Sequence, residues 1–143
     1  MEIPEPRAGQ VISYAYVWRG EAIKGAKEGR KDRPCVIVLA AVTVDEATLV
    51  TVAPVTHSIP EPDSGAIEIP LATKRRLGLD NQRSWIVVSE VNRFIWPGYD
   101  LRATHRGSGK CLFGTLPRSL FNTIRDAMIA SARKGKLRVT SRN

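Results

Sequence analysis

Short apolar runs alternate with polar turns over most of the chain, which predicts a series of β-strands. Ile12, Tyr14, Tyr16 and Trp18 recur at every second position, as expected of a strand over residues 9–18. Further strands are predicted over 35–44, 47–55, 65–71, 85–95 and 110–115. Strands at such short spacing favour a barrel or a sandwich.

The C-terminal part follows a helical period instead. Apolar residues three and four positions apart predict an amphipathic helix over 117–134, and they are Leu120, Phe121, Ile124, Ala127, Met128 and Ala132. A single helical turn is predicted over 72–77. The polar, basic tail, 136–143, is expected to fray. The whole chain, 1–143, is therefore expected to form one domain, with a barrel over about 9–115 followed by the helix and the tail.

The net charge of the chain indicates which class of partner this mainly β protein binds. The 143 residues carry a formal net charge of +8 and a pI near 10.0, which favours a polyanion, although an acidic protein segment is an alternative. Residues 19–33, between the first two strands, predict a long basic loop of a kind that is often functional. The longest apolar run, 35–42, is too short to span a membrane, and a cytoplasmic protein without a secretory signal is expected.

Candidate metal ligands are few and scattered. The two cysteines, His57 and His105 show no metal-binding spacing, and the sequence contains no nucleotide-binding motif. We therefore expect no cofactor, no metal and no disulfide framework.

A series of short motifs nevertheless follows a recognisable order. A glycine opens an aromatic-containing strand, a glutamate stands five residues before an Arg-Pro pair, a hydrophobic strand follows, and a Pro-x-Thr segment ends the next strand. These motifs are Gly9, Trp18, Glu28, Arg33-Pro34, the strand 36–39 and Pro54-Val55-Thr56, continued by 67–69, 89–93 and 114–117. In this order the chain resembles the MazF/PemK family of toxin endoribonucleases, from about Gly9 to about Arg133.

The resemblance implies a mainly β fold with a C-terminal helix, an SH3-like barrel of the MazF/PemK/CcdB type. It also implies a growth-inhibiting toxin that cleaves single-stranded RNA at short sequences without a metal. In such cleavage the 2′-OH attacks the neighbouring phosphate and leaves a 2′,3′-cyclic phosphate. A homodimer and neutralisation by an acidic cognate antitoxin are implied in the same way.

The catalytic residues implied by the resemblance lie at two strand ends. Arg33 matches the catalytic arginine, whose planar fork suits a phosphorane, and Thr56 matches the catalytic hydroxyl. The alternatives are a solvated loop charge for Arg33 and a turn-forming threonine for Thr56. Glu28 either accepts the 2′-OH proton or orders its loop.

The proton donor stays open. Val88 stands where some family members carry a catalytic arginine, which excludes the mechanism that uses that arginine as general acid. His57 is the nearest alternative donor, because histidine titrates near neutral pH. In a continuing strand, however, its side chain faces opposite to Thr56 and Ser58, and a surface histidine without a role is the other interpretation.

Substrate binding is assigned to aromatic residues that stack on bases, to cations that meet phosphates, and to one acidic residue that lines the site. These candidates are Trp18, Trp96, Lys27, Arg30, Lys31, Arg93 and Glu90, the last in place of a family aspartate. Two other functions stay open: a gyrase-poisoning toxin of the same fold, and a non-catalytic RNA-binding or regulatory module.

Overall fold

The computed structural model describes residues 1–26, 29 and 31–142. Eight strands and three helices follow one another in this described part of the chain. They are β1 (Gln10–Tyr14), α1 (Arg19–Ile23), β2 (Arg33–Val42), β3 (Thr48–Thr56), β4 (Ile67–Glu68), α2 (Leu71–Arg76), β5 (Trp85–Ile86), β6 (Glu90–Trp96), β7 (Leu112–Thr115), α3 (Arg118–Arg133) and β8 (Arg138–Ser141).

The strands form one curled, mainly antiparallel sheet of the half-barrel kind, with α3 packed against it. Its order is β4-β5-β3-β2-β1-β7, while β6 pairs with β3 and with β8. Only the β6–β8 pairing among these named strands is parallel. The predicted mainly β fold with a C-terminal helix is therefore confirmed.

The core lies on both faces of the central strands. Neighbouring residues point to opposite faces of a strand, so Val36 packs in the cluster that contains Ile124 and Met128 of α3, whereas Cys35 and Ile37 pack with Tyr14 and Phe94 in the other cluster. Burial on both faces explains why the segment from Cys35 is almost continuously apolar. It also fixes the register that brings the start of β2 beside the end of β3.

Three predictions about the elements were wrong in detail. The segment predicted as a loop from residue 19 begins with α1. The strand predicted over 85–95 is two strands: β5 pairs with the end of β3 and with β4, whereas β6 begins at Glu90 and pairs with an earlier part of β3, Thr48–Val52. The strand predicted over 65–71 is only two residues long, at the edge of the sheet as expected.

The tail differs most from its prediction. Instead of fraying, it contains β8, which pairs in parallel with Glu90–Arg93. Arg142 then inserts its side chain, 3% exposed, and forms an ion pair with Asp100 at 2.9 Å. It also donates to the carbonyl of Ala15 at 2.8 Å. These contacts are polar, so hydrophobic periodicity carries no sign of them.

Candidate active site

A cavity of about 390 Å³, here called the main cavity, opens where β2 begins and β3 ends. The antiparallel register pairs Cys35 with Pro54, so Arg33 and Thr56 come from adjacent strand ends. The cavity lining consists of Trp18, Lys31, Asp32, Arg33, Pro34, Val55, Thr56, His57, Ser58, Lys74, Leu79, Asp80 and Ser84. Five of the residues predicted for the site are therefore brought together here.

Arg33 is held at the cavity by an aromatic ring and a carbonyl. Its guanidinium carbon lies 4.8 Å from the centre of the Trp18 ring, within the range of a cation–π contact. Its Nη1 donates to the carbonyl of Val55 at 3.3 Å. Its Nε is buried and has no hydrogen-bond partner within the described part of the chain. Arg33 is thus a partly buried strand residue, not a solvated loop charge, and it retains donor capacity for an anion.

Trp18 lines the main cavity from the position just before α1. Its ring meets Tyr16 edge-on with centroids 5.1 Å apart, and Arg33 lies over it. Trp18 also caps the start of α1, where its backbone N–H donates a hydrogen bond to the Glu21 carboxylate at 3.1 Å. The ring therefore positions the Arg33 guanidinium in addition to any contact with a base.

Thr56 and His57 reach the same cavity because β3 ends between them. The Thr56 hydroxyl accepts a hydrogen bond from the backbone N–H of Ser58 at 3.1 Å, which closes a tight turn. The expectation that His57 faces away from Thr56 and Ser58 was wrong, because the alternation of a strand does not continue through this turn. All three residues line the main cavity.

His57 contacts a carboxylate that the sequence analysis did not single out. Its Nε2 lies 2.7 Å from Oδ2 of Asp80, and both side chains are about half exposed. The other oxygen of Asp80, Oδ1, accepts from Lys74 Nζ at 2.5 Å and from the backbone N–H of Gln82 at 3.0 Å. Both carboxylate oxygens are therefore engaged, on opposite sides.

Lys74 is the buried end of this network. Its side chain is only 2% exposed, and its ammonium also donates to the carbonyl of Gln82 and, at 2.6 Å, to the hydroxyl of Ser84. Three acceptors satisfy the three N–H donors of an ammonium, which is how a buried charge is tolerated. We call the set Lys74, Asp80 and His57 the triad.

The network keeps Asp80 ionised. Partial burial opposes its charge, but the hydrogen bond from Lys74, the Gln82 backbone N–H and the charges of Lys74 and His57 together hold the pKa of Asp80 below its ordinary value. No sequence signal identified this cluster, because Lys74, Arg75 and Arg76 form a charge run of the kind that usually faces solvent. Only Lys74 of the three turns inward.

Three predicted substrate-binding residues lie outside the main cavity. Glu90 accepts hydrogen bonds from the Tyr16 hydroxyl at 2.9 Å and from the backbone N–H of Arg19 at 3.0 Å, so it anchors the start of α1. Burial and then the Glu90 carboxylate raise the pKa of Tyr16 far above its ordinary value, so that its hydroxyl remains a donor. Arg93 lies within β6, opposite Thr51.

Trp96 is the third of these residues. It pairs with Thr48 at the opposite end of β3 from Thr56, and its indole N–H donates to the carbonyl of Pro4 at 3.1 Å. Its ring packs against Phe94 in the core cluster on that side. The predicted base-stacking platform is therefore not part of the main cavity, because the whole length of β3 separates the two.

Of the three cations predicted to bind phosphate before β2, Lys31 belongs to the described part of the chain. Lys31 is exposed and lines the main cavity. Lys27 and Arg30, predicted to bind phosphate, and Glu28, predicted either to accept the 2′-OH proton or to order its loop, lie outside the described residues.

Two of the grooves that adjoin the main cavity in the described part of the chain differ in character. One, of about 310 Å³, shares Trp18, Thr56 and Ser58 with it and includes Val88, which is buried. The other, of about 550 Å³, begins at Arg33 and adds the basic side chains of Arg102 and Arg106. The site therefore has an aliphatic groove on one side and a basic groove on another.

The described residues contain no group of three or more His, Cys, Asp or Glu side chains arranged to hold a metal ion. Among the helices of the described part of the chain, none is long and apolar enough to cross a membrane.

Comparison with known proteins agrees with the fold. No curated protein sequence matches the chain significantly. Residues 16–95 match the model of a family described as PemK-like, MazF-like toxins of type II toxin–antitoxin systems. This match spans more than half of the chain, from Tyr16 to Ile95, and includes Trp18, Arg33, Thr56, His57 and Asp80. The chain therefore belongs to the PemK-like, MazF-like family of type II toxins, a membership that implies an antitoxin partner.

Proposed function

We propose that this toxin is a metal-independent endoribonuclease that cleaves single-stranded RNA in the main cavity. The observation that carries the proposal is the convergence of Arg33, Thr56 and His57, from two adjacent strand ends, on one cavity. These side chains supply a fixed cation, a hydroxyl and a group that transfers protons, which are the parts that RNA cleavage by the 2′-OH requires.

The reaction forms one bond and breaks one. The 2′-oxygen attacks the adjacent phosphorus, the bond from phosphorus to the 5′-oxygen breaks, and the products end in a 2′,3′-cyclic phosphate and a 5′-hydroxyl. The proton of the 2′-OH passes to a base, for which the resemblance offers Glu28. The leaving 5′-oxygen takes a proton, and we assign its donation to His57.

Arg33 and Thr56 act on the phosphate itself. The guanidinium, held by Trp18 and Val55, donates hydrogen bonds to the oxygens on which negative charge develops. The Thr56 hydroxyl, whose oxygen already accepts from Ser58, has its proton left to donate to the same phosphate.

The surroundings of the cavity suit an extended polyanion. Lys31 at its rim and Arg102 and Arg106 in the adjoining basic groove extend the positive charge away from Arg33. The net charge of +8 adds long-range attraction to RNA and to an acidic antitoxin segment. Arg93, Trp96 and Glu90 are expected to contribute less to RNA binding than Lys31.

The finer biology follows the same proposal. We propose a cytoplasmic homodimer of a single-domain chain, neutralised when the antitoxin covers the cleavage site. Exposed apolar side chains at Leu39, Val42 and Val44, on and after β2, support association with another protein surface.

The direct test is incubation of the purified protein with a long unstructured RNA in EDTA, beside Arg33→Ala and Thr56→Ala. We expect fragments ending in 2′,3′-cyclic phosphate from the wild type and a loss of about 100-fold or more in each variant. Arg75→Ala is the matched control, because Arg75 is an exposed cation outside the cavity lining.

Intact RNA from the folded wild-type protein, across several long substrates, would contradict the proposal. Salt-dependent RNA binding without product would then favour a non-catalytic RNA-binding module. Growth inhibition that persists in Arg33→Ala would favour the gyrase-poisoning alternative, which needs neither Arg33 nor Thr56.

A further inference from the structure

The triad connects a buried charge to His57, the imidazole among the described residues that line the main cavity. Lys74 lies on α2, Asp80 in the loop after it, and His57 in the turn after β3, so three separate segments meet. Hydrogen bonds from Lys74 and from the Gln82 backbone fix one oxygen of Asp80 and leave the other directed at His57. If Lys74 and Asp80 served only to hold the loop after α2, the contact between Asp80 Oδ2 and His57 would not be needed.

We propose that Lys74 and Asp80 are positioning residues that orient His57 and set which of its ring nitrogens exchanges a proton with RNA. This inference rests on the proposed function. With Nε2 bonded to Asp80, the neutral ring carries its proton on Nε2, and Nδ1 is the nitrogen that exchanges a proton with the 5′-oxygen.

The proton balance is simple. In the donating state His57 carries protons on both nitrogens, and the Nδ1 proton passes to the 5′-oxygen as the phosphorus–oxygen bond breaks. The ring that remains is neutral, with its Nε2 proton still donated to Asp80. Asp80 stays ionised throughout. It does not take the proton, because a carboxylate that orients a histidine stabilises the protonated ring without becoming protonated itself.

The charges around His57 are set by neighbouring elements. Arg33, Lys31 and Asp32 line the same cavity from the segment that enters β2, while Asp80 faces the ring directly and Lys74 lies behind Asp80 on α2. Asp80 is the anion in direct contact with the imidazole, so it is the residue whose replacement tests the orientation.

Asp80→Asn is the informative variant. Its amide oxygen still accepts from Lys74 and from Gln82, so the loop keeps its main contacts, whereas its amide nitrogen donates where the carboxylate accepted. Nε2 of His57 must then accept a hydrogen bond, which moves the proton of the neutral ring to Nδ1. The doubly protonated ring that donates to the 5′-oxygen needs a proton on Nε2 as well, which an amide N–H at that position disfavours. A neutral ring that gave up its Nδ1 proton would become an imidazolate, so His57 is left a poor acid.

Nitrogen NMR of the histidine rings reads this change without any RNA. The chain has two histidines, and His105→Gln removes the second set of signals. We expect the Nε2–H form in the wild type, the Nδ1–H form in Asp80→Asn, and no change in Asp32→Asn, which removes the same charge from the same cavity without a direct contact to His57.

RNA cleavage supplies the second readout. We expect Asp80→Asn to lower kcat by about 100-fold with KM changed less than about threefold. In a His57→Ala background the same substitution should lower kcat by less than about twofold, because the residue that it positions is already absent. Lys74→Met, in which Asp80 loses its buried anchor, should lower kcat by a smaller factor.

The two possible failures are distinguishable. If the wild type cleaves RNA but its histidine proton does not move in Asp80→Asn, or if Asp80→Asn is equally damaging without His57, the triad is only a loop clamp and the inference is overturned. If the wild type does not cleave RNA while the proton moves as expected, the proposed function fails and the orientation of His57 by Asp80 stands.

Discussion

Replacement of Lys74 by methionine tests whether the buried ammonium holds the loop between α2 and β5. The substitution keeps an unbranched apolar stem of similar length but removes three donated hydrogen bonds, to Asp80, to the carbonyl of Gln82 and to Ser84. Those acceptors belong to one short segment, residues 80–84, so they lose their common partner together.

The expected loss follows from how each acceptor is compensated. A hydrogen bond from a charged donor contributes about 1.5–3 kcal/mol. The side chain of Asp80 is about half exposed and Gln82 is exposed, so water replaces the ammonium there, whereas Ser84 is buried and its hydroxyl oxygen loses the donor that Lys74 supplies. We therefore expect the free energy of unfolding to fall by about 2–3 kcal/mol, below the full cost of breaking a wholly buried ion pair.

Thermal and urea unfolding at pH 7 measure this change. For a chain of this size a loss of about 2–3 kcal/mol lowers Tm by about 6–9 °C. Arg75→Met is the matched control, since Arg75 neighbours Lys74 on the same helix but is exposed, and it should change stability by less than about 0.5 kcal/mol. A Lys74→Met protein that melts within about 1 °C of the wild type would refute the reasoning.

Four further predictions concern stability and activity. The pKa of Asp80 is lowered in the folded state, so the stability it contributes is present above its unfolded value of 3.8 and is lost as the pH falls through the lower native value. The stability difference between the wild type and Asp80→Asn in urea should therefore shrink below about pH 4, and a constant difference would contradict the assignment. Arg33→Lys keeps the charge but loses the planar fork that lies over Trp18, so kcat for RNA cleavage should fall by about 100-fold, and a fully active lysine variant would count against a bidentate role. Trp18→Phe keeps a ring beside Arg33 and Trp18→Ala does not, so kcat/KM should fall more in the alanine variant; the reverse order would be inconsistent with a positioning role. Gly29→Ala would bring a Cβ within 2.5 Å of the backbone carbonyl of Tyr16, so it should cost about 1–3 kcal/mol in urea unfolding, whereas an unchanged midpoint would show that this contact yields easily.

The hydrophobic pattern along the sequence predicts much of the fold. Residues 35–44 and 47–55 are apolar enough to predict buried strands, and β2 and β3 occupy nearly those positions. The helical spacing of Ile124 and Met128 places both on the face of α3 that packs against the sheet. Because two consecutive strands usually pair as a hairpin, the closeness of Arg33 and Thr56 follows from the same pattern.

Other features depend on contacts that the pattern does not encode. The strand β8 is polar and is held by the parallel pairing with β6 and by the ion pair of Arg142 with Asp100. Glu90 matches a motif position, yet its carboxylate is bonded to Tyr16 and to the start of α1, outside the main cavity. In each case a polar residue gains its role from a distant partner, so its local sequence resembles that of a solvated surface.

Apolar periodicity and motif order are local properties, so they predict the class of fold, the family resemblance and the pair of strand ends that carry Arg33 and Thr56. The place of His57 in the same cavity, with Asp80 and Lys74 behind it, comes from contacts between distant segments. The physical reason is that a buried lysine is tolerated only where several acceptors converge on it. That convergence joins α2, the loop after it and the turn after β3, which no local pattern brings together.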